Sequence, residues 1–229
     1  KLVSTMRGSF CVLGPLLAKL KKAKVSLPGG CAIGLRPVDL HLKGINSLGA
    51  NIKIENGYVI ATARRMQGNH MYLGGGFGSS VLATANVMMA ATRAAGHTVI
   101  ESAACEPEVV DLANFLNKMG AKIKGHGTPT VEIEGVKDLH GAEHRVIPDR
   151  IEAGTFLLIA AATRSDIQLK NVHWPHLIAV IDKLEEAGIK FENSNSMIKV
   201  KTKRRLKPVN ITTLPYPGFP THMQAQFMA

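Results

Sequence analysis

Among the residues whose types and spacing could do chemistry, the run Ser26-Leu27-Pro28-Gly29-Gly30-Cys31-Ala32-Ile33-Gly34-Leu35-Arg36-Pro37-Val38-Asp39-Leu40-His41 stands apart. Pro28, Gly29, Gly30 and Gly34 exclude a helix and predict a permissive loop around Cys31, and Pro37 fixes φ where the chain re-enters ordered structure. Five residues after the thiol, Arg36 offers a guanidinium that favours the thiolate and presents a planar fork to a phosphate or carboxylate. The expected chemistry is a thiol acting beside an anion. The opposing reading, a small buried apolar cysteine, is kept for Cys11 and Cys105.

The elements that must position this loop follow from an internal repeat. Leu48-Gly49-Ala50-Asn51-Ile52-Lys53-Ile54, Met119-Gly120-Ala121-Lys122-Ile123-Lys124 and Ala187-Gly188-Ile189-Lys190-Phe191 are versions of one phrase, with glycines 71 and then 68 residues apart. An amphipathic helix precedes each glycine, which is expected to cap it, and an alternating strand follows. The middle copy gives the rest of the unit. Ser79 to Ala91 reads as a small-residue helix with Met88 and Met89 as core filling, and His97 to Ser102 as a strand. Glu106-Pro107-Glu108 opens a second helix with a proline and acids suited to its N-terminus. Strands follow at 122–124 and 131–133, and another is expected before the first helix. Each unit is β-α-β-α-β-β, and the first and last copies are incomplete, so the chain is expected to be cut at both ends.

Composition bounds the class. With 229 residues, 45% apolar and 5% aromatic, the chain reads as an ordinary globular protein. No run of eighteen apolar residues occurs, the start Lys1-Leu2-Val3 carries no signal-peptide pattern, and three cysteines form no CxxC pair. A cytosolic protein with reduced thiols, no membrane partner and no metal site is expected. The net charge of +11 raises nucleic acid as a partner, but the densest basic run, Lys199 to Lys207, has no interleaved aromatics that could stack bases. That run is read as a solvated strand-and-turn edge, and the charge as a field that concentrates phosphorylated substrates. His140/His144 and His173/His176 lie beside glycine or proline rather than on a helix, and are read as satisfied or solvated histidines.

Six motifs in order carry a resemblance: Thr5-Met6-Arg7, Pro28 to Gly34, Arg36-Pro37-Val38-Asp39, Glu106-Pro107-Glu108-Val109-Val110-Asp111, Asp149-Arg150-Ile151-Glu152-Ala153-Gly154-Thr155 and Phe219-Pro220-Thr221. Together they resemble the UDP-N-acetylglucosamine enolpyruvyl transferase family, over roughly the middle half of such an enzyme. The resemblance implies an inside-out α/β barrel of βαβαββ units in two domains, here 1–147 for part of the first and 148–229 for the start of the second. It implies transfer of the enolpyruvyl group of phosphoenolpyruvate to the 3-hydroxyl of UDP-N-acetylglucosamine, the step that commits material to peptidoglycan, with no cofactor.

On that mapping Cys31 is the general acid, Arg7 and Arg36 grip substrate, and Pro37, Val38, Asp39 and Leu40 continue the UDP-sugar site with Gly78, Ser79, Ser80 and Val81. Gly74 to Val81 is expected either to form an anion nest or a plain tight loop. Two positions depart from the family. His222 stands where it has an aspartate that takes the sugar hydroxyl proton, and Gly78 stands where it has a lysine. The family's N-terminal Lys-Asn pair and C-terminal arginine have no positions in this sequence. The alternative expectation is therefore a truncated homologue that only binds a UDP-sugar or anion. The sister transferase acting on shikimate phosphate is disfavoured by the Cys-bearing loop and the Arg36-Pro37-Val38-Asp39 run.

Overall fold

The computed structural model describes residues 6–29, 38–76, 78–194, 196–202 and 206–229, with Arg7 described in its backbone only. The chain divides into two compact units, Lys1–Arg145 and Val146–Ala229. In the first, a 3-10 turn, Arg7–Val12, runs into α1 (Leu13–Leu20), followed by β1 (Lys22–Ser26), α2 (Asp39–Ser47), β2 (Asn51–Glu55) and β3 (Tyr58–Thr62). Then come β4 (His70–Tyr72), α3 (Val81–Ala91), β5 (His97–Glu101), α4 (Pro107–Lys118), β6 (Lys122–Lys124) and β7 (Thr130–Glu134). The second unit holds α5 (Arg150–Thr163), β8 (Ile167–Lys170), α6 (Ile178–Glu186), β9 (Lys190–Ser194), β10 (Met197–Lys201) and the short α7 (Gln224–Met228).

From β4 to β7 the order is the complete β-α-β-α-β-β unit. β4 pairs parallel with β5 across the α3 crossover, and β5, β7 and β6 follow antiparallel. The other copies reproduce its last three strands: the orders β1-β3-β2 and β8-β10-β9 match β5-β7-β6. In all three, the hairpin's second strand inserts between its first and the strand that came before. The fold is thus mixed α/β, and the repeat read from the glycines governs strand order as well.

Each repeat helix ends as the glycines require, with one adjustment. The capping residues are Leu48, Met119 and Ala187, and the glycine follows one position later in the left-handed region, at φ +87° for Gly49, +97° for Gly120 and +102° for Gly188. At the second and third sites, Ala121 N–H donates to Leu116 O and Ile189 N–H to Leu184 O, both at 3.0 Å, while Gly120 and Gly188 donate to Asn117 O and Glu185 O. This double closure satisfies two orphan carbonyls, and only glycine adopts that φ without a Cβ penalty.

The first unit's core is built around α3. Its side chains are buried from Ala83 to Met88 and again at Ala90 and Ala91, because it is covered on all sides rather than along one stripe. Small residues on the neighbours permit the approach. A Cβ on Gly14 of α1 would lie 2.2 Å from Asn86 O, and one on Gly44 of α2 would lie 2.4 Å from Val87 Cγ2. Met88 is fully buried and Met89 packs against the same core, in the filling role expected of them. The strands cover this helical centre with one face and turn the other to solvent, as the alternation in β3, β5 and β7 shows.

The second unit has its own core of Leu157, Leu158, Val180, Ile181, Leu184, Ile198, Phe219 and Met223. Here the basic run departs from expectation. Its strand, β10, is the centre of the sheet and not an edge, flanked by β8 and β9. Ile198 and Val200 point into the core while Lys201 is exposed and pairs with Glu192 across the sheet at 2.6 Å. Lys203, Arg204 and Arg205 lie outside the described residues.

Candidate functional site

Three chain segments that carry expected substrate contacts meet on the first unit. Arg7 opens the 3-10 turn leading into α1, Val38 caps α2 with Asp39 in its first turn, and Ser79 and Ser80 precede α3. Ser80 Oγ accepts the Ala83 N–H at 3.4 Å, which accounts for the helix beginning at Val81. Asp39 places a carboxylate where the α2 macrodipole favours it. Leu40 closes the gap between two of the segments: a Cβ on Gly75 would sit 3.2 Å from Leu40 Cδ1. The start of α2 and the glycine loop before α3 are thus neighbours. Cys31, Arg36 and Pro37, the residues on which the expected chemistry rests, lie outside the described residues.

The glycine loop is a tighter object than a bare anion nest. Gly75 N–H donates to Gly78 O at 2.8 Å and Gly78 N–H to Gly75 O at 3.1 Å, with Gly78 at φ +93°. Two amides that a nest would aim at a ligand are spent on each other. The α3 first-turn amides lack i−4 carbonyl partners, as in any helix, and that of Ala83 is already taken by Ser80 Oγ.

What holds the segments together is a residue that sequence reading passed over. Asn86, fully buried in the middle of α3, takes the Gly14 N–H on Oδ1 at 2.6 Å. Its Nδ2 lies 3.1 Å from Phe10 O and 3.0 Å from His41 Nδ1. The Phe10 and His41 rings meet edge to face at 5.0 Å. One amide therefore ties the Arg7 turn, the start of α1, and the α2 turn that follows Val38-Asp39-Leu40 to the helix that Ser80 caps. Its sequence signal is a lone carboxamide among Ala, Thr, Val and Met, which must be partnered if the helix is buried. Thr84 adds a second tie, accepting the Ala104 N–H at 3.0 Å.

In the second unit, His222 sits exposed in the 3-10 turn Thr221–Met223. The turn is anchored by its neighbours: Met223 is buried against α5, where a Cβ on Gly154 would lie 2.3 Å from Met223 Cε, and Phe219 stacks edge to face on Phe227 at 5.3 Å. Asp149 caps α5 by accepting the Ile151 and Glu152 N–H groups at 2.8 and 3.1 Å. The Arg150 guanidinium lies over the Tyr216 ring at 5.4 Å, so the chain leading to His222 returns to the start of α5.

The remaining candidates are structural. His144 Nε2 lies 2.9 Å from Asp111 Oδ1, both nearly buried, and His173 stacks on His176 at 4.1 Å. Among the described residues no three His, Cys, Asp or Glu side chains converge as a metal site would require. Cys105 is half-buried with Sγ 3.7 Å from Ala103 O, and burial, aided by the Glu106 carboxylate, pushes its thiol pKa up. Cys11 Sγ lies 3.8 Å from Leu82 O. No helix is long and apolar enough to cross a membrane among the described residues.

A buried-helix, outward-sheet α/β repeat, with its glycine loop and helix starts gathered at one end, defines a repeat-built α/β class. Over residues 1–229 the sequence matches the family described as EPSP synthase (3-phosphoshikimate 1-carboxyvinyltransferase), and the chain belongs to that family. It is 60% identical over 229 residues to the UDP-N-acetylglucosamine 1-carboxyvinyltransferase 1 of Caldanaerobacter subterraneus subsp. tengcongensis, covering 100% of this chain and 54% of that protein. It is 55% identical to the UDP-N-acetylglucosamine 1-carboxyvinyltransferase of Geotalea uraniireducens, with the same 100% and 54% coverage. The chain spans about half the length of the curated relatives it matches. In fold it is similar to the enolpyruvyl transferase NikO from Streptomyces tendae, with a TM-score of 0.78 at 22% identity over 95% of this chain and 52% of that one. An EPSP synthase from Acinetobacter baumannii gives a TM-score of 0.65 at 23% identity over 90% and 48%.

Proposed function

We propose that this chain contributes to transfer of the enolpyruvyl group from phosphoenolpyruvate to the 3-hydroxyl of UDP-N-acetylglucosamine. The observation that carries the reading is the 60% identity over the entire chain to a relative of that name. In the proposed reaction the Cys31 thiol gives its proton to the methylene carbon of phosphoenolpyruvate, and the neighbouring carbon, made electrophilic, bonds to the sugar oxygen. The sugar hydroxyl proton passes to a base. Phosphate then leaves as a proton of the new methyl group returns to the Cys31 thiolate, and the carbon–carbon double bond re-forms in an enol ether of the sugar. Arg7 and Arg36 hold anionic groups, and Pro37, Val38, Asp39 and Leu40 with Gly78, Ser79, Ser80 and Val81 receive the UDP-sugar. The Leu40–Gly75 contact supports treating the last two segments as one surface.

His222 is the proposed base. A neutral imidazole accepts a proton near neutral pH, yet it brings no negative charge toward the hydroxyl and differs in reach from a carboxylate. On this reading 1–147 is part of one enolpyruvyl transferase domain and 148–229 opens another. Exposed Phe156 and Ile159 on α5 support further packing in the second. The substrates are cytoplasmic metabolites and the product feeds peptidoglycan, so the proposed location is the cytoplasm.

The test is phosphate release by the purified chain given both substrates, with Cys31→Ser beside it. Release that needs both substrates and vanishes in the variant is expected. UDP-N-acetylglucosamine binding without release instead supports a second reading, a sugar-nucleotide or anion-binding module, which His222 and the half-length span favour.

A further inference from the structure

At the C-terminal end of α3, opposite its Ser80 cap, the first unit carries a solvent-open groove of about 450 Å³ whose lining includes the exposed Lys21, Arg64, Arg65 and Lys137, with Arg93, and no carboxylate. We propose that this groove is a binding site for a small polyphosphate anion, a pyrophosphate or triphosphate group.

Four chain segments distant in sequence bring these cations together, and backbone bonds lace them into one frame. Ala63 N–H donates to Lys21 O, Ala95 N–H to Met66 O, Gly135 N–H to Gly96 O and Val136 N–H to Thr92 O, all at 2.8 to 2.9 Å. The frame is packed to contact: a Cβ on Gly135 would lie 1.5 Å from Ala94 O, so the 135–137 segment can run there only with glycine. The backbone beneath the cations is thus fixed, and the ordering that a ligand requires falls on their exposed side chains.

Compensation of helix ends explains part of the charge. Lys21 Nζ donates to Ala18 O at the end of α1, and Arg93 follows α3 with its guanidinium held by Lys137 O at 2.9 Å and Asp138 Oδ1 at 3.1 Å. It does not explain Arg64 and Arg65, which lie on the link from β3 to β4. Among the described residues, Arg64, Arg65 and the Lys137 ammonium have no carboxylate partner. A single phosphoryl group engages one or two planar forks, whereas two or three linked groups can reach cations on several walls.

Equilibrium dialysis of the chain against inorganic triphosphate tests the assignment, with Arg64→Ala/Arg65→Ala as the variant and Lys53→Gln/Lys124→Gln as a control that removes the same charge elsewhere. The expected result is saturable binding that weakens about tenfold or more in the arginine variant and less than about twofold in the control. Excess UDP-N-acetylglucosamine should leave the binding in place; displacement would assign the anion to the sugar-nucleotide surface and overturn the proposal. Equal loss in both variants would reduce it to the protein's general positive field. Absence of saturable binding in the unmodified chain, with its circular dichroism that of a folded α/β protein, overturns it outright. Uridine triphosphate against inorganic triphosphate separates the sources: equal affinity means that the phosphates alone are read, and tighter nucleotide binding adds a base contact to the same site.

Discussion

Asn86 Nδ2 lies 3.0 Å from His41 Nδ1, and because the amide oxygen is committed to the Gly14 N–H, the nitrogen end must face the ring. A carboxamide nitrogen only donates, so His41 Nδ1 accepts and the ring is a neutral imidazole with its proton on Nε2. Replacing Asn86 by Ala would strand the Gly14 N–H, Phe10 O and the imidazole nitrogen in a dry interior. A loss of about 2 to 4 kcal/mol in urea unfolding is expected, against about 0.5 or less for Asn114→Ala on the exposed face of α4. A loss under about 1 kcal/mol would show that water or repacking replaces the network.

Two glycines six residues apart should behave oppositely. Gly14→Ala pushes a methyl to 2.2 Å from Asn86 O, against backbone that cannot rotate away, and a cost of about 2 kcal/mol or more is expected. Gly8→Ala meets nothing within 4 Å and should stay within about 0.5 kcal/mol of the parent. Thermal unfolding of both in one buffer checks the contrast, and equal melting temperatures would refute it.

At the start of α5, Asp149→Ala removes the acceptor for the Ile151 and Glu152 N–H groups and should cost about 1 kcal/mol. Asp149→Asn keeps an acceptor at the same place and should recover most of that loss. If the two variants unfold together, the cap contributes through charge and not through its hydrogen bonds.

The three thiols should separate by pH. Burial and the Glu106 carboxylate raise the Cys105 pKa above the ordinary thiol value of about 8.5, so at pH 7.5 less of it is thiolate than of a free cysteine. Iodoacetamide labelling followed by peptide mass analysis should show Cys105 reacting more slowly than glutathione at pH 7.5 and gaining rate only at higher pH. Cys31, with Arg36 five residues away in sequence, should be labelled first. Labelling of Cys105 ahead of Cys31 at neutral pH would overturn this ordering.

Local rules carried the repeat. The glycine phrases, the Pro107 helix start and the spacing of apolar residues led to the middle β-α-β-α-β-β unit; its two helices and last three strands form within two residues of the expected places, and its first strand, expected only somewhere before α3, is β4. What the sequence concealed is non-local. That β10 lies at the centre of its sheet depends on β8 and β9 pairing from both sides, which no pattern within 197–201 encodes. The mutual pairing of Gly75 and Gly78 reflects a choice between two uses of the same amides, and composition is silent on it. Asn86 looked like one polar interruption in a small-residue helix, and its partners come from 72, 76 and 45 residues away. Arg7 and the α2 and α3 starts were marked as substrate contacts by resemblance alone, and the Asn86 ties and the Leu40 contact now give the nearness of their segments a packing reason.

The closure at Gly120 and Gly188 has a consequence for how such a chain can be rebuilt. The same pair of bonds turns the backbone out of α4 in one unit and out of α6 in the other, into strands that occupy equivalent positions in their sheets. The joint is therefore portable. A segment such as Met119-Gly120-Ala121, grafted in place of Ala187-Gly188-Ile189, would meet the same turn and differ in the two side chains that flank the glycine, so the hinge between helix and strand is a standard part and the specificity of each unit resides in the pieces it joins.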